Sequence, residues 1–108
     1  MEPVAVFPLA EVVVSHDPAE DGGTATTGST AVTSLGDLEV GVWEMSAGSA
    51  SDVEADEVFV LLSGRGVIEL EDGSEFAIKP GDLVRLAAGT KTVWHVSEPL
   101  RKVYVIAA

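Results

Sequence analysis

Residues 57–86 read EVFVLLSGRGVIELEDGSEFAIKPGDLVRL, a series of short apolar runs separated by Gly-rich or Pro-Gly breaks. Runs of this length, rich in Val, Ile, Leu and Phe and bounded by such breaks, are strand signals. They predict strands at 57–63, 66–71, 75–79 and 83–86. Asp72-Gly73 stands between two of them as a tight hairpin turn, since glycine supplies a positive φ without steric cost. Gly64-Arg65-Gly66 and Lys79-Pro80-Gly81-Asp82 are breaks of the same kind.

The pattern extends outward in both directions. Further strands are predicted at Leu38–Met45, Thr92–Val96 and Arg101–Ile106, and several short strands at this spacing indicate a sandwich or barrel. No stretch keeps helical apolar spacing for three turns without meeting Gly, Pro or a β-branched run. Near the N-terminus, Glu11–Val14 reads as a strand, and Pro8–Val13 reads equally well as one helical turn. Asp17–Thr30, rich in Gly, Pro, Thr and Ser, reads as a long surface loop. With no internal repeat, one domain is expected over residues 1–108, with 1–35 as an N-terminal extension and 36–108 as the barrel core.

Successive side chains on a strand point to opposite faces. In the run at 57–63, Glu57, Phe59 and Leu61 share one face and Val58, Val60 and Leu62 the other. Both faces are apolar, which predicts a central strand covered on both sides. On the run at 92–96, Thr92, Trp94 and Val96 share one face, and Val93 and His95 the other.

Composition bounds the function. A chain of 108 residues, 46% hydrophobic, can bury a core without staples, and with no cysteine it forms neither disulfides nor Cys-ligated zinc sites. No apolar run approaches the roughly 18 residues of a membrane span. The start Met-Glu-Pro-Val-Ala-Val-Phe lacks the basic opening of a signal peptide, so a soluble cytoplasmic protein is expected. Residues 1–64 hold 12 acidic and no basic side chains, and residues 65–108 hold 6 of each, so the net charge of -12 lies in the first part of the chain. Such a surface excludes nucleic acid and anionic membranes as partners, since both are bound by Lys and Arg. The acidity serves solubility, or it attracts a cationic ligand or partner.

The order of turns and strands resembles the cupin superfamily of small jelly-roll barrels. Glu57, six residues, then Gly64 matches the end of the first cupin motif, His-x-His…Glu…Gly. Gly81, five residues, then Ala87-Ala88-Gly89 matches the start of the second, with Ala in place of Pro. Gly41-Val42-Trp43-Glu44, Gly48, Asp56-Glu57 and Glu98-Pro99-Leu100-Arg101-Lys102 are similar to the branch that contains the ureidoglycine aminohydrolase cupin domain. The resemblance covers roughly residues 38–106. It implies an all-β, cupin-type jelly-roll barrel, a double-stranded β-helix, and a homodimer formed by pairing sheets. It also implies a metal held by three His and one Glu. Here the two His positions of the first motif fall on Ala50 and Asp52 or on Ser51 and Val53, and that of the second falls on Thr92. Only Glu57 remains, and one carboxylate cannot hold a transition metal. No metal and no cofactor are expected.

Glu57 is the candidate catalytic residue. Among apolar neighbours a carboxylate loses hydration and is poised as a general acid or base, or else it is satisfied by a buried hydrogen bond or by Arg or Lys. Trp43, Phe59, Thr92, Trp94 and Tyr104 are the candidate ligand-binding residues, since aromatic rings in a barrel mouth stack on small molecules while an indole N–H or phenol orients them. Arg101 and Lys102 alternate, so at most one points inward, to Glu57 or to a ligand carboxylate; otherwise both are surface ion pairs. Asp52, Glu54 and Asp56 read as a solvated loop edge, His95 as an outer-face residue and His16 as exposed. Three functions follow from this reading. The first is a small-molecule-binding cupin without the usual metal. The second is an enzyme similar to ureidoglycine aminohydrolase, acting on a small nitrogenous or carboxylate metabolite. The third is an assembly domain whose barrel is packed solid.

Overall fold

The computed structural model describes residues 2–107. One 3-10 turn, Leu9–Glu11, is followed by eight strands: β1 Asp17–Pro18, β2 Thr26–Leu35, β3 Leu38–Met45, β4 Gly48–Val53, β5 Glu57–Leu70, β6 Glu75–Ile78, β7 Leu83–Leu86 and β8 Lys91–Ala107. All pairings are antiparallel, in the order β1-β2-β3-β8-β5-β6, with β4 added to β8 and β7 to β5. Among the described residues no helix is long and apolar enough to cross a membrane.

Two long, bent strands close this sheet into the expected jelly-roll barrel. The first half of β5 pairs with β7 and with the end of β8, and its second half pairs with β6 and with the start of β8. Between the halves the register slips from Leu61 to Gly66, opposite Glu98-Pro99. Bulges of this kind bend a strand and increase its twist, which lets one strand serve two walls of a barrel. The two runs at 57–63 and 66–71 are therefore one strand with a corner at Gly64, and 92–96 and 101–106 are likewise one strand.

Side-chain alternation places the core. Phe59, Leu61, Ile68, Trp94, Val96, Leu100 and Tyr104 point inward from β5 and β8 and pack with Met45, Ile78 and Leu86, all at most 8% exposed. Burying each large apolar side chain contributes about 1.5–3 kcal/mol, so this one cluster supplies much of the drive to fold.

The structure corrects the expected cover on both sides of residues 57–63. The outward residues Val58 and Leu62 are 36% and 39% exposed. The barrel covers one face of β5, and the other is only partly covered among the described residues, with Val60 half-buried. Residues 17–30 are also not one loop, because β1 and the start of β2 lie there and β2 pairs with β3 along its length. Strand β4 went unpredicted as well. Gly48-Ser49-Ala50-Ser51-Asp52-Val53 has little strand propensity, and pairing with Lys91–Val96 of β8 imposes its conformation.

Ahead of β1, the chain crosses the outer face of β2, β3 and β8. Arg101 donates to the carbonyls of Leu9 and Val12 at 2.7 and 2.8 Å and to the Glu44 carboxylate. His16, exposed as expected, still bridges Glu44 and Thr26 at 2.8 and 2.9 Å. Burial alone would raise the Glu44 carboxyl, but hydrogen bonds from His16 and Arg101 outweigh it and hold the group below its ordinary range. Arg101 therefore points outward and ties down the N-terminal segment. Its neighbour Lys102 points inward.

Candidate functional site

Lys102 enters the barrel from β8 and meets Glu57 from β5. The Nζ donates to Glu57 Oε2 at 2.6 Å, with the two side chains 5% and 8% exposed. The ammonium also lies 4.3, 4.5 and 5.0 Å from the ring centroids of Phe59, Trp43 and Trp94. Three aromatic faces and a carboxylate stabilise a cation, yet burial wins and pulls the Lys102 ammonium below its usual range, against the charge and hydrogen bond of Glu57. A basic side chain thus satisfies the Glu57 carboxylate in this structure.

A second carboxylate lies beside this pair. Glu54, 7% exposed, accepts hydrogen bonds at Oε2 from the Thr92 hydroxyl at 2.6 Å and the Trp94 indole at 2.9 Å. This corrects the solvated-edge reading for Glu54, while Asp52 and Asp56 are exposed as expected. The turn after β4 is locked by Glu54 N–H to Thr90 O and Gly89 N–H to Glu54 O, and Glu54 continues the cavity-facing row of Ala50 and Asp52. Asp56 points elsewhere and caps the Ala88 N–H at 2.8 Å. The available signal was Thr92 itself, since a hydroxyl placed in a core needs a polar partner.

These groups line a cavity of about 360 Å³, within the usual range for small-molecule sites. Of the residues expected in a pocket, Trp43, Glu57, Trp94 and Tyr104 line it. Phe59 and Thr92 do not: Phe59 is packed behind the ammonium, and Thr92 is spent on Glu54. Ala50 and Asp52 both face the cavity, in register with Trp94 and Thr92 on β8. Glu39, which the sequence did not single out, accepts a hydrogen bond from the Tyr104 hydroxyl at 2.8 Å. Burial and then the Glu39 carboxylate push that hydroxyl up to about 12, so it remains a proton donor at neutral pH. His95 lies on the outer face, bonded to Glu69 at 2.8 Å.

Asp52 stands at the cavity rim. Desolvation and then the neighbouring charge of Glu54 raise its carboxyl above the ordinary 3.8. The folded chain therefore holds this proton more tightly than the unfolded chain, and the ionised form costs stability at any pH above the folded-state value. Asp52→Asn is expected to raise the melting temperature at neutral pH. The gain should shrink as pH falls below the folded-state value and vanish only well below 3.8, where both states are protonated. Thermal melts across this range check it, and a fall in melting temperature at neutral pH would contradict it.

A family model for the EutQ-like cupin domain matches residues 32–104. The chain belongs to this family. The barrel also resembles that of EutQ from Clostridium difficile, with a TM-score of 0.81 and 20% identity over 94% of this chain and 85% of that one. It is similar to ectoine synthase from P. lautus, with a TM-score of 0.74 and 18% identity over 96% of this chain and 78% of that one. A DUF861 family protein from Thermotoga maritima is 32% identical over 60% of this chain and 75% of its own, with a TM-score of 0.58. No curated protein matches the chain significantly. The cupin resemblance holds at the level of the EutQ-like cupin domain.

The residues of this EutQ-like cupin do not fit the transition-metal centre that the resemblance implies. Glu57 is bound to Lys102, Thr92 is bound to Glu54, and neither spacing of the first motif puts a His at its two positions, which hold Ala50 and Asp52 or Ser51 and Val53. Among the described residues no three His, Asp or Glu side chains gather as a metal-binding group.

Proposed function

We propose that this EutQ-like cupin binds a small organic molecule in its barrel, with the Lys102 ammonium standing where other cupins place a metal. The observation that carries this reading is the buried Glu57–Lys102 pair on the wall of a 360 Å³ cavity. Burying two charges costs several kcal/mol per ion, and apolar residues of similar volume would often be as stable or more so. A pair kept at such a cost beside an open cavity favours a role in ligand binding. The cavity also weighs against a solidly packed assembly domain. An enzyme using Glu57 as its free acid or base would first have to release it from Lys102.

The test is a ligand screen by thermal shift on chelator-treated protein. A ligand present at a hundredfold excess over its Kd should stabilise the fold by about 2.7 kcal/mol. Trp43→Leu, which strips one cavity wall, should weaken that ligand while leaving the unliganded fold intact. Ligands that bind only after a transition metal is added would overturn the reading.

We further propose a homodimer built on the outer face of β5 and its neighbours. Val58, Leu62 and Leu83 are 36%, 39% and 70% exposed there, and an apolar sheet face only partly covered suits a self-complementary interface. Sedimentation equilibrium should give twice the chain mass of 11.2 kDa, reverting to the single mass in Leu83→Glu. A monomer at micromolar concentration would contradict it.

A further inference from the structure

The charges in the cavity do not balance. Glu20, Glu39, Asp52, Glu54 and Glu57 line it against a single cation, Lys102, whose hydrogen bond goes to Glu57. Glu54 is the informative member. Both bonds to this nine-tenths-buried side chain fall on Oε2, and Oε1 has no hydrogen-bond partner among the described residues. No fully occluded side-chain polar atom among them lacks a partner, so Oε1 is open to the cavity that Glu54 lines. A carboxylate oxygen in such a position is an acceptor waiting for a donor, and charged donors make the strongest such bonds. At the rim, desolvation first and the charge of Glu54 second raise the Asp52 carboxyl, against smaller lowering by the Val53 N–H and Lys102.

We propose that the ligand of this cavity is a small organic ammonium cation, its charged head on Glu54 Oε1 and its apolar body against Met45, Ala50 and Ile106. The inference rests on the pocket reading above and adds the ligand's charge. A hard metal cation fits less well, because calcium and magnesium require several convergent oxygens and no group of three such side chains forms among the described residues.

The experiment titrates full-length, chelator-treated, ¹⁵N-labelled protein with n-butylammonium, n-butanol, n-butyrate and manganese(II) chloride at constant ionic strength, following the indole signals of Trp43 and Trp94. Butylammonium should saturate and should bind on the order of tenfold more tightly than its neutral and anionic isosteres, the advantage of a charge-assisted bond. Glu54→Gln and Asp52→Asn should each weaken it by a similar factor, and Asp52, being exposed, serves even if Glu54→Gln fails to fold. Butanol or butyrate binding as well as butylammonium overturns the cation assignment and leaves the pocket reading standing. So does butylammonium binding that is indifferent to both substitutions, or binding of manganese alone. Indole signals unmoved by every probe and by every compound of the ligand screen overturn both.

Discussion

Lys102→Met is expected to destabilise the barrel by about 3–5 kcal/mol, the range for breaking a buried ion pair by removing one partner. The loss does not measure the strength of the bond. Methionine fills nearly the same volume among Trp43, Phe59 and Trp94, so little packing is lost. What the variant leaves behind is the Glu57 carboxylate, 8% exposed and without its counterion. The double variant Glu57→Gln with Lys102→Met removes both charges and should recover most of the loss, because the desolvation cost disappears with the pair. The direction at Lys102 supports this, since burial lowers its proton affinity more than Glu57 raises it. Urea denaturation, reading the midpoint at constant slope, separates these outcomes. A single variant as stable as the parent would mean that water reaches Glu57 and that the pair is not buried.

Gly64→Ala should be nearly as damaging, for a backbone reason. Gly64 sits at the corner of β5 with φ near +96°, in the region that glycine occupies freely and other residues avoid. A Cβ there would lie 2.1 Å from the Pro99 carbonyl oxygen and 2.8 Å from the Leu100 Cα. Both are main-chain atoms of the partner strand and have no rotamer by which to retreat. Left-handed strain of about 1–2 kcal/mol and overpacking of about 1–3 kcal/mol together give roughly 2–5 kcal/mol. Gly73→Ala is the matched control, because its φ of +86° carries the conformational strain but a Cβ meets nothing within 4 Å. Chemical denaturation of the two variants side by side should show Gly64→Ala losing clearly more. Equal losses would mean that β8 does not press against β5 at this corner.

The same two positions show how far the sequence could be read. Gly64 was legible as a break because glycine punctuates an otherwise apolar, alternating stretch, and the fold followed from such breaks. That the break is a corner within one strand was not legible, because it depends on Pro99 crossing opposite it. Alternation also showed that only one of Arg101 and Lys102 faces inward, and it put Thr92 and Trp94 on one face. It could not say which basic residue enters, since that depends on how β8 leaves its bend at Ser97–Pro99. Glu54 was misread for a related reason. Ala50, Asp52 and Glu54 keep one parity and all line the cavity, but that this face is the inner one depends on β8 and on the hydrogen bonds of Glu54 to Gly89 and Thr90. Those partners lie some 35 residues away, and no local pattern announces them. Strand β4 was hidden in the same way, as a polar and small-residue segment held by its neighbour alone.

Metal content tests the substitution of Lys102 for a metal most directly. Untagged protein purified without chelator, and its Glu57→Gln variant, should both contain transition metal well below one ion per chain by elemental analysis. A near-stoichiometric ion in the parent that is lost in Glu57→Gln would contradict the Glu57–Lys102 pair and restore a metal centre to this barrel.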